Sequence, residues 1–283
     1  MSGYVENPRK PKLKLPPGAC DTHFHCMGPF ARFPMTPGSY TPAGEATKEA
    51  LFRLHARLGV ERGVVVQTAV HGFDNSASAD LIAARPDAYR GVALVPPDVA
   101  DAALKKLDTQ GFVGARFHYM NLAHLANQTP IEDVLELAKR LEPLGWHLQI
   151  HLDATLLDRL APALHRSPVP VVIDHMGRID ASTGKGFDHL LKLLEDRNIW
   201  VKVSAPERAS KQGAPWRDSL PFARKLVDEF GDRALWGTDW PHPNLKVVPD
   251  DGDLVDFFAE AAPSEATRRR ILVDNPKKVY GFS

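Results

Sequence analysis

Cysteine is nearly missing from this chain: Cys20 and Cys26 are the only two in 283 residues, too few for a disulfide framework. A reducing, cytoplasmic setting is therefore expected. Excess charge of either sign is missing as well, since 35 Lys and Arg balance 35 Asp and Glu. That balance offers no polyanion-binding surface and argues against nucleic acid as a partner. No apolar run approaches the roughly 20 residues of a membrane span. Residues 1–18 lack the apolar stretch of a secretory signal. There is no fixed-period repeat, no low-complexity tract and no Gly-rich phosphate loop after the first strand. Nothing in the sequence indicates an oligomeric state.

What is present is an alternation of strand-like and helix-like segments. Apolar runs predict strands at Asp21–His25, Val60–Thr68, Tyr89–Val95, Val113–Phe117, Trp146–His151, Val169–Asp174, Ile199–Val203 and Ala234–Trp236. Between and after them, helical spacing predicts helices over Glu45–Leu58, Ser78–Arg85, Ala100–Gln110, Pro130–Leu144, Thr155–His165, Phe187–Arg197, Arg217–Phe230, Asp251–Ala262 and Ser264–Tyr280. Runs such as Val64-Val65-Val66 suit strands buried on both faces of a parallel sheet. Eight such units fit a (β/α)8 barrel of the TIM type, with an N-terminal extension at 1–17 and one barrel domain at 18–283. A closed barrel also has a chemical attraction. Its strand ends share one mouth, where an open sheet would spread them along an edge.

Those strand ends carry the chemistry. His23 and His25, two residues apart on a strand, point to one side. His151, His175 and Asp239 close later strands, and imidazoles beside a carboxylate suit a metal or an acid–base site. Cys26 follows His25 and should face away, so both cysteines read as packed residues. Arg116 and Arg208 lie at strand exits and Arg178 lies three residues beyond His175; guanidinium forks match carboxylates and sulfonates. Thr68 and His71, after the second strand, could add donors to the same anion.

Three segments carry a resemblance: Asp21-Thr22-His23-Phe24-His25, Asp174-His175-Met176-Gly177-Arg178 and Trp236-Gly237-Thr238-Asp239-Trp240-Pro241-His242-Pro243. Together they resemble the amidohydrolase superfamily, in the branch of pyrone-dicarboxylate lactonase and related lactone hydrolases. The likeness runs from Gly18 to Asn275-Pro276. It implies a hydrolase opening a small anionic lactone of the muconolactone, sulfomuconolactone or pyrone-carboxylate type, from aromatic catabolism. It also implies that His23, His25, His151 and Asp239 hold one divalent metal, zinc by ligand type. In a metal-independent version the histidines polarise the carbonyl directly. In either version Asp239 activates water, His23 and His25 stabilise the oxyanion, and His175 polarises the carbonyl or relays a proton. Arg116, Arg208, Arg178, Thr68, His71 and His242 are the expected substrate contacts. A second arginine of the lactonase pattern is replaced by Leu122, which points to fewer or differently placed anionic groups. A metal-dependent decarboxylase of the same superfamily is the alternative.

Overall fold

The computed structural model describes residues 3–120 and 129–282; the expectation resting on Leu122 lies outside them. The eight strands are β1 (Cys20–Phe24), β2 (Arg62–Val66), β3 (Tyr89–Ala93), β4 (Phe112–Tyr119), β5 (His147–Leu152), β6 (Val171–Ile173), β7 (Ile199–Lys202) and β8 (Ala234–Leu235). They pair in parallel and in chain order. Backbone hydrogen bonds from Thr22 to Trp236 (2.9 Å), Asp239 to His23 (2.8 Å) and His25 to Trp240 (2.7 Å) join β1 to the chain after β8. The sheet thereby closes into a barrel.

Helices α1 (Lys48–Leu58), α2 (Ser76–Ala84), α3 (Asp101–Thr109), α4 (Ile131–Leu141), α5 (Leu157–Leu164) and α6 (Phe187–Leu193) follow the first six strands. After β7 come a short α7 (Pro206–Ala209) and α8 (Leu220–Phe230); after β8 come α9 (Asp251–Ala261), α10 (Glu265–Arg269) and α11 (Asn275–Tyr280). Element ends shift by a few residues throughout, and three differences from the sequence reading have a structural reason. Residues 45–47 do not begin α1, because Ala46 instead pairs with Met27. The turn α7 carries too few residues for a helical period to register. The expected helix Ser264–Tyr280 is divided by a wide turn at Arg270–Asp274, just before Pro276, whose ring nitrogen cannot donate one turn back. No helix among the described residues is long and apolar enough to cross a membrane.

The barrel interior is layered. Val64, Val66, Val92, Val172 and Leu235 pack with Tyr280 and Phe282, which plug the amino ends of the strands. Toward the carboxyl ends the buried residues turn polar: His23, Gln149, Asp174, Lys202 and Asp239 are at most 1 % exposed. A bulge in β1, where Asp21 pairs with Gly63 but Phe24 pairs with Val65, sets which residues face this layer. Asp21 and Phe24 turn outward to His55, and His23 and His25 turn to the barrel mouth.

Residues 3–17 lie against the barrel. Arg9 pairs with Asp253 and Asp256 of α9, its backbone N–H donates to Asp250, and Tyr4 packs on Trp240 at 4.7 Å.

Asp21 fastens the barrel seam. Its Oδ1 accepts from the backbone N–H of His23 and Thr238, each at 3.0 Å, and its Oδ2 accepts from the Thr238 hydroxyl at 2.6 Å. Asp21→Ala would leave these buried donors unpaired, and we expect a loss of about 3 kcal/mol in denaturant unfolding. A loss under about 1 kcal/mol would show that the backbone bonds alone hold the seam.

Candidate active site

The seam brings Asp239 beside the β1 histidines. Its backbone is left-handed (φ 64°), which turns the carboxylate back over the barrel mouth. On the opposite wall, β6 ends in four consecutive left-handed residues, His175 to Arg178, with φ between 51° and 64°. Such a conformation costs roughly 1–2 kcal/mol for each non-glycine residue, so the surrounding packing must hold the turn. The turn aims His175 inward and carries Arg178 to the rim.

Three imidazole nitrogens then converge on one carboxylate oxygen. Asp239 Oδ1 lies 3.4 Å from His175 Nε2, 3.5 Å from His25 Nε2 and 3.6 Å from His23 Nε2. The Nε2 atoms of His23 and His175 are buried without a hydrogen-bond partner. His25 donates through Nδ1 to the Val66 carbonyl at 2.7 Å, which leaves its Nε2 facing Asp239. Asp239 Oδ2 accepts from Arg208 Nε at 2.6 Å. Burial alone would raise the Asp239 carboxyl, but Arg208, His175 and His25 outweigh it and hold the group well below the usual carboxylate range. Burial lowers His175 to about 3.

Beneath this cluster sits Asp174, fully buried. Its Oδ2 accepts from Arg116 Nε (3.0 Å) and Gln149 Nε2 (3.2 Å), and Arg116 Nη2 lies 2.9 Å from it. Its Oδ1 is 3.2 Å from His23 Nδ1 and 3.4 Å from Lys202 Nζ. Lys202 also donates to the Thr22 carbonyl (2.9 Å), to Gln149 Oε1 (2.8 Å) and to His23 Nδ1 (3.1 Å). Burial would raise Asp174, yet His23, Lys202 and Arg116 keep it well below its ordinary value. Burial brings Lys202 down to about 8. The sequence reading passed over Asp174, Lys202 and Gln149. The signal was present in Lys202, a charged residue ending the apolar run Ile199-Trp200-Val201.

The remaining expected residues are placed as follows. His151 is not among the imidazoles on Asp239: its Nδ1 takes a hydrogen bond from Arg116 Nη2 at 2.6 Å, and its ring lies 5.5 Å from that of His175. Arg116 is engaged with Asp174 and His151 rather than standing ready for an anion. Arg208 reaches the site but is bonded to Asp239 and to the Pro243 carbonyl (2.9 Å). Arg178 stands near Arg208 with no carboxylate bonded to it among the described residues, and burial lowers its pKa. Thr68 is buried within 3.4 Å of the Tyr40 hydroxyl. His71 does not serve as a donor to the site, because both its ring nitrogens meet backbone: Gly28 N–H at 3.1 Å and the Pro34 carbonyl at 3.1 Å. His242 is turned to Asp251, 3.2 Å from its Nε2.

Among the described residues, two groups have ligand atoms close enough for a metal ion: His23 with His175 and Asp239, and His151 with Asp174 and His175. Arg116 and Lys202 already supply the positive charge at Asp174, so the first group fits a cation and the second does not. His25, although its Nε2 is 3.5 Å from Asp239 Oδ1, lies outside that first group.

A family model described as Amidohydrolase matches residues 20–282. A 2-pyrone-4,6-dicarboxylate hydrolase of Comamonas testosteroni is 44 % identical, the match covering 98 % of this chain and 94 % of that protein. A 4-sulfomuconolactone hydrolase of Hydrogenophaga intermedia is 35 % identical over 95 % of this chain and 91 % of its own. The crystal structure of an Agrobacterium tumefaciens protein in its apo form superposes with a TM-score of 0.85 at 29 % identity, covering 96 % of this chain and 99 % of that one.

Asp174→Asn would leave Arg116 and Lys202 facing a neutral amide in the barrel interior. The expected loss is about 3 kcal/mol in denaturant unfolding, the scale of a broken buried pair. Wild-type stability would show that Asp174 is dispensable to the packing of the site.

Proposed function

The chain belongs to the amidohydrolase family, and from that premise we propose that it hydrolyses a small anionic lactone of aromatic catabolism. The muconolactone, sulfomuconolactone and pyrone-carboxylate types are the candidates, within a cytoplasm that suits two free cysteines. One observation carries the reading: three imidazoles and a guanidinium surround a single buried carboxylate at the mouth of the barrel. Relatives with lactone-hydrolase names match nearly the whole chain.

The chemistry follows from the residues. Asp239 takes a proton from water, and the hydroxide adds to the lactone carbonyl carbon. His175 and the β1 histidines face the oxygen on which negative charge develops. The carbon–oxygen bond of the ring then breaks, and the proton held by Asp239 passes to the departing ring oxygen. One water is consumed, and an open-chain acid is released. His23, His175 and Asp239 Oδ1, with His25 on the same carboxylate oxygen, would hold a divalent metal, zinc by its preference for imidazole and carboxylate, which when bound supplies a Lewis acid for the carbonyl. The substrate's anionic group meets Arg178 and Arg208, with Thr68 and the Arg116 end of the site beside it. An anion that shares Arg208 loosens its hold on Asp239, so binding the substrate and freeing the base are coupled. Arg208 therefore contributes to turnover as well as to affinity.

A panel of anionic lactones followed by proton release tests the reading. Ring opening without gas is the expected result; carbon dioxide release would favour the decarboxylase alternative. Asp239→Asn should lower kcat by about 10³-fold with the melting temperature kept. Activity within about tenfold of wild type would remove Asp239 from the mechanism. For the metal, elemental analysis of the purified protein should find zinc, and a chelator should suppress turnover until zinc is restored. Full activity in metal-free protein would assign carbonyl polarisation to the histidines alone.

A further inference from the structure

Beside Asp239 lies a carboxyl group that the hydrolytic scheme leaves without a task. Glu207, in α7, has a side chain only 6 % exposed, and neither of its oxygens has a hydrogen-bond partner. Its Oε1 is 3.9 Å from Arg208 Nε, which is bonded to Asp239 instead. His242 and Asp239, from the segment after β8, act on it from one side. Arg178, from the turn after β6, is influenced by both Arg208 and Glu207. The buried carboxyl thus lies 3.9 Å from one guanidinium group and within the electrostatic influence of a second.

An ionised carboxylate removed from water without a hydrogen bond is costly, so such a group keeps its proton to a higher pH than an exposed one. Burial pushes Glu207 up to about 7, against the opposing pull of Arg208 and His242. The ordinary carboxyl value lies far below that, so Glu207 changes charge near neutrality.

We propose that Glu207 is a proton-gated competitor of the substrate's anionic group: protonated, it leaves Arg178 and Arg208 to the anion, and ionised, it takes up their charge itself. The identity of the natural anion as a lactone rests on the function proposed above; the gate itself does not. The sign is fixed. Below about pH 7 Glu207 is neutral and anions bind well; above it the proton is lost to solvent and anion affinity falls. Lys202 also titrates, near 8, but it lies under His23 and bonds to Gln149 and Thr22. A change at Glu207 leaves it in place.

Isophthalate, an inert aromatic dicarboxylate, serves as a probe in calorimetric titrations of the full-length protein. From about pH 6 to about pH 8 its Kd should weaken about tenfold, as one proton linked to a group near 7 requires. Glu207→Gln should abolish most of that change and keep the tighter value at both pH values. A pH-independent Kd in the wild type, or an unaltered dependence in E207Q, would overturn the gate. KM for an anionic lactone should follow the same pattern, and KM for neutral dihydrocoumarin should not. Gated isophthalate binding without turnover of any lactone would leave this inference standing and remove the lactonase reading. Turnover with an ungated Kd would do the reverse.

Discussion

The join between β1 and the chain after β8 is the constraint on which the site depends. In an open sheet these segments would be the two edges, and His23 and Asp239 would lie at opposite ends of it. Three backbone hydrogen bonds and the Asp21 carboxylate close that distance. Gly237 makes the approach possible: a Cβ there would come within 2.6 Å of the His23 backbone nitrogen. The bulge in β1 completes the arrangement by sending Asp21 outward to the seam while both histidines face inward. Closure of the fold and assembly of the chemistry are one event.

Electrostatics explains the floor of the site. Asp174 and Asp239 are both removed from water, and each has cations of its own: Arg116 and Lys202 for the first, Arg208 for the second. Replacing such buried pairs by apolar residues is often neutral for stability, so their value lies in position rather than in net free energy. They fix the imidazole rings from behind, as hydrogen-bonded carboxylates do around metal-binding histidines. The left-handed turn from His175 to Arg178 adds strain to this assembly, and a packed, satisfied floor is what can hold it. The same arrangement explains why arginines at strand exits are a weak guide to a substrate. Two of the three belong first to the protein's own carboxylates, and Arg178 alone stands without one among the described residues.

The sequence made the barrel legible because buried parallel strands are written as continuous apolar runs, and His23, His25, His175 and Asp239 were visible as polar endings of those runs. Partners were harder to see. Asp174 was hidden by its neighbour: His175 ends the same strand and drew the chemical reading. His71 looked like a donor because its type and its strand-end position suggested one, but its partners, Gly28 and Pro34, lie on a loop remote in sequence. Glu207 gave no periodic signal, since its role arises from burial and that depends on three separate elements meeting. His151 is a ligand by the resemblance, and no sequence signal announces that Arg116 on the adjacent strand donates to its Nδ1. Strand order is encoded locally; which side chain bonds to which is decided by register between strands.

The protonation of His23 ties these layers together. Its Nδ1 has a donor, Lys202 at 3.1 Å, and an acceptor, Asp174 at 3.2 Å. A neutral imidazole can satisfy only one of them at a time. When Lys202 donates to Nδ1, the ring proton is on Nε2 and faces Asp239. When Nδ1–H turns to Asp174, Nε2 presents a lone pair to the same point. His25 has no such choice at Nδ1, which donates to the Val66 carbonyl; in its neutral form the lone pair is on Nε2, toward Asp239. A lone pair and a carboxylate oxygen 3.5 Å apart repel unless something positive lies between them. A proton at that point, or a metal ion, would remove the repulsion, and the paired contacts of His23 let its ring face either without moving its backbone.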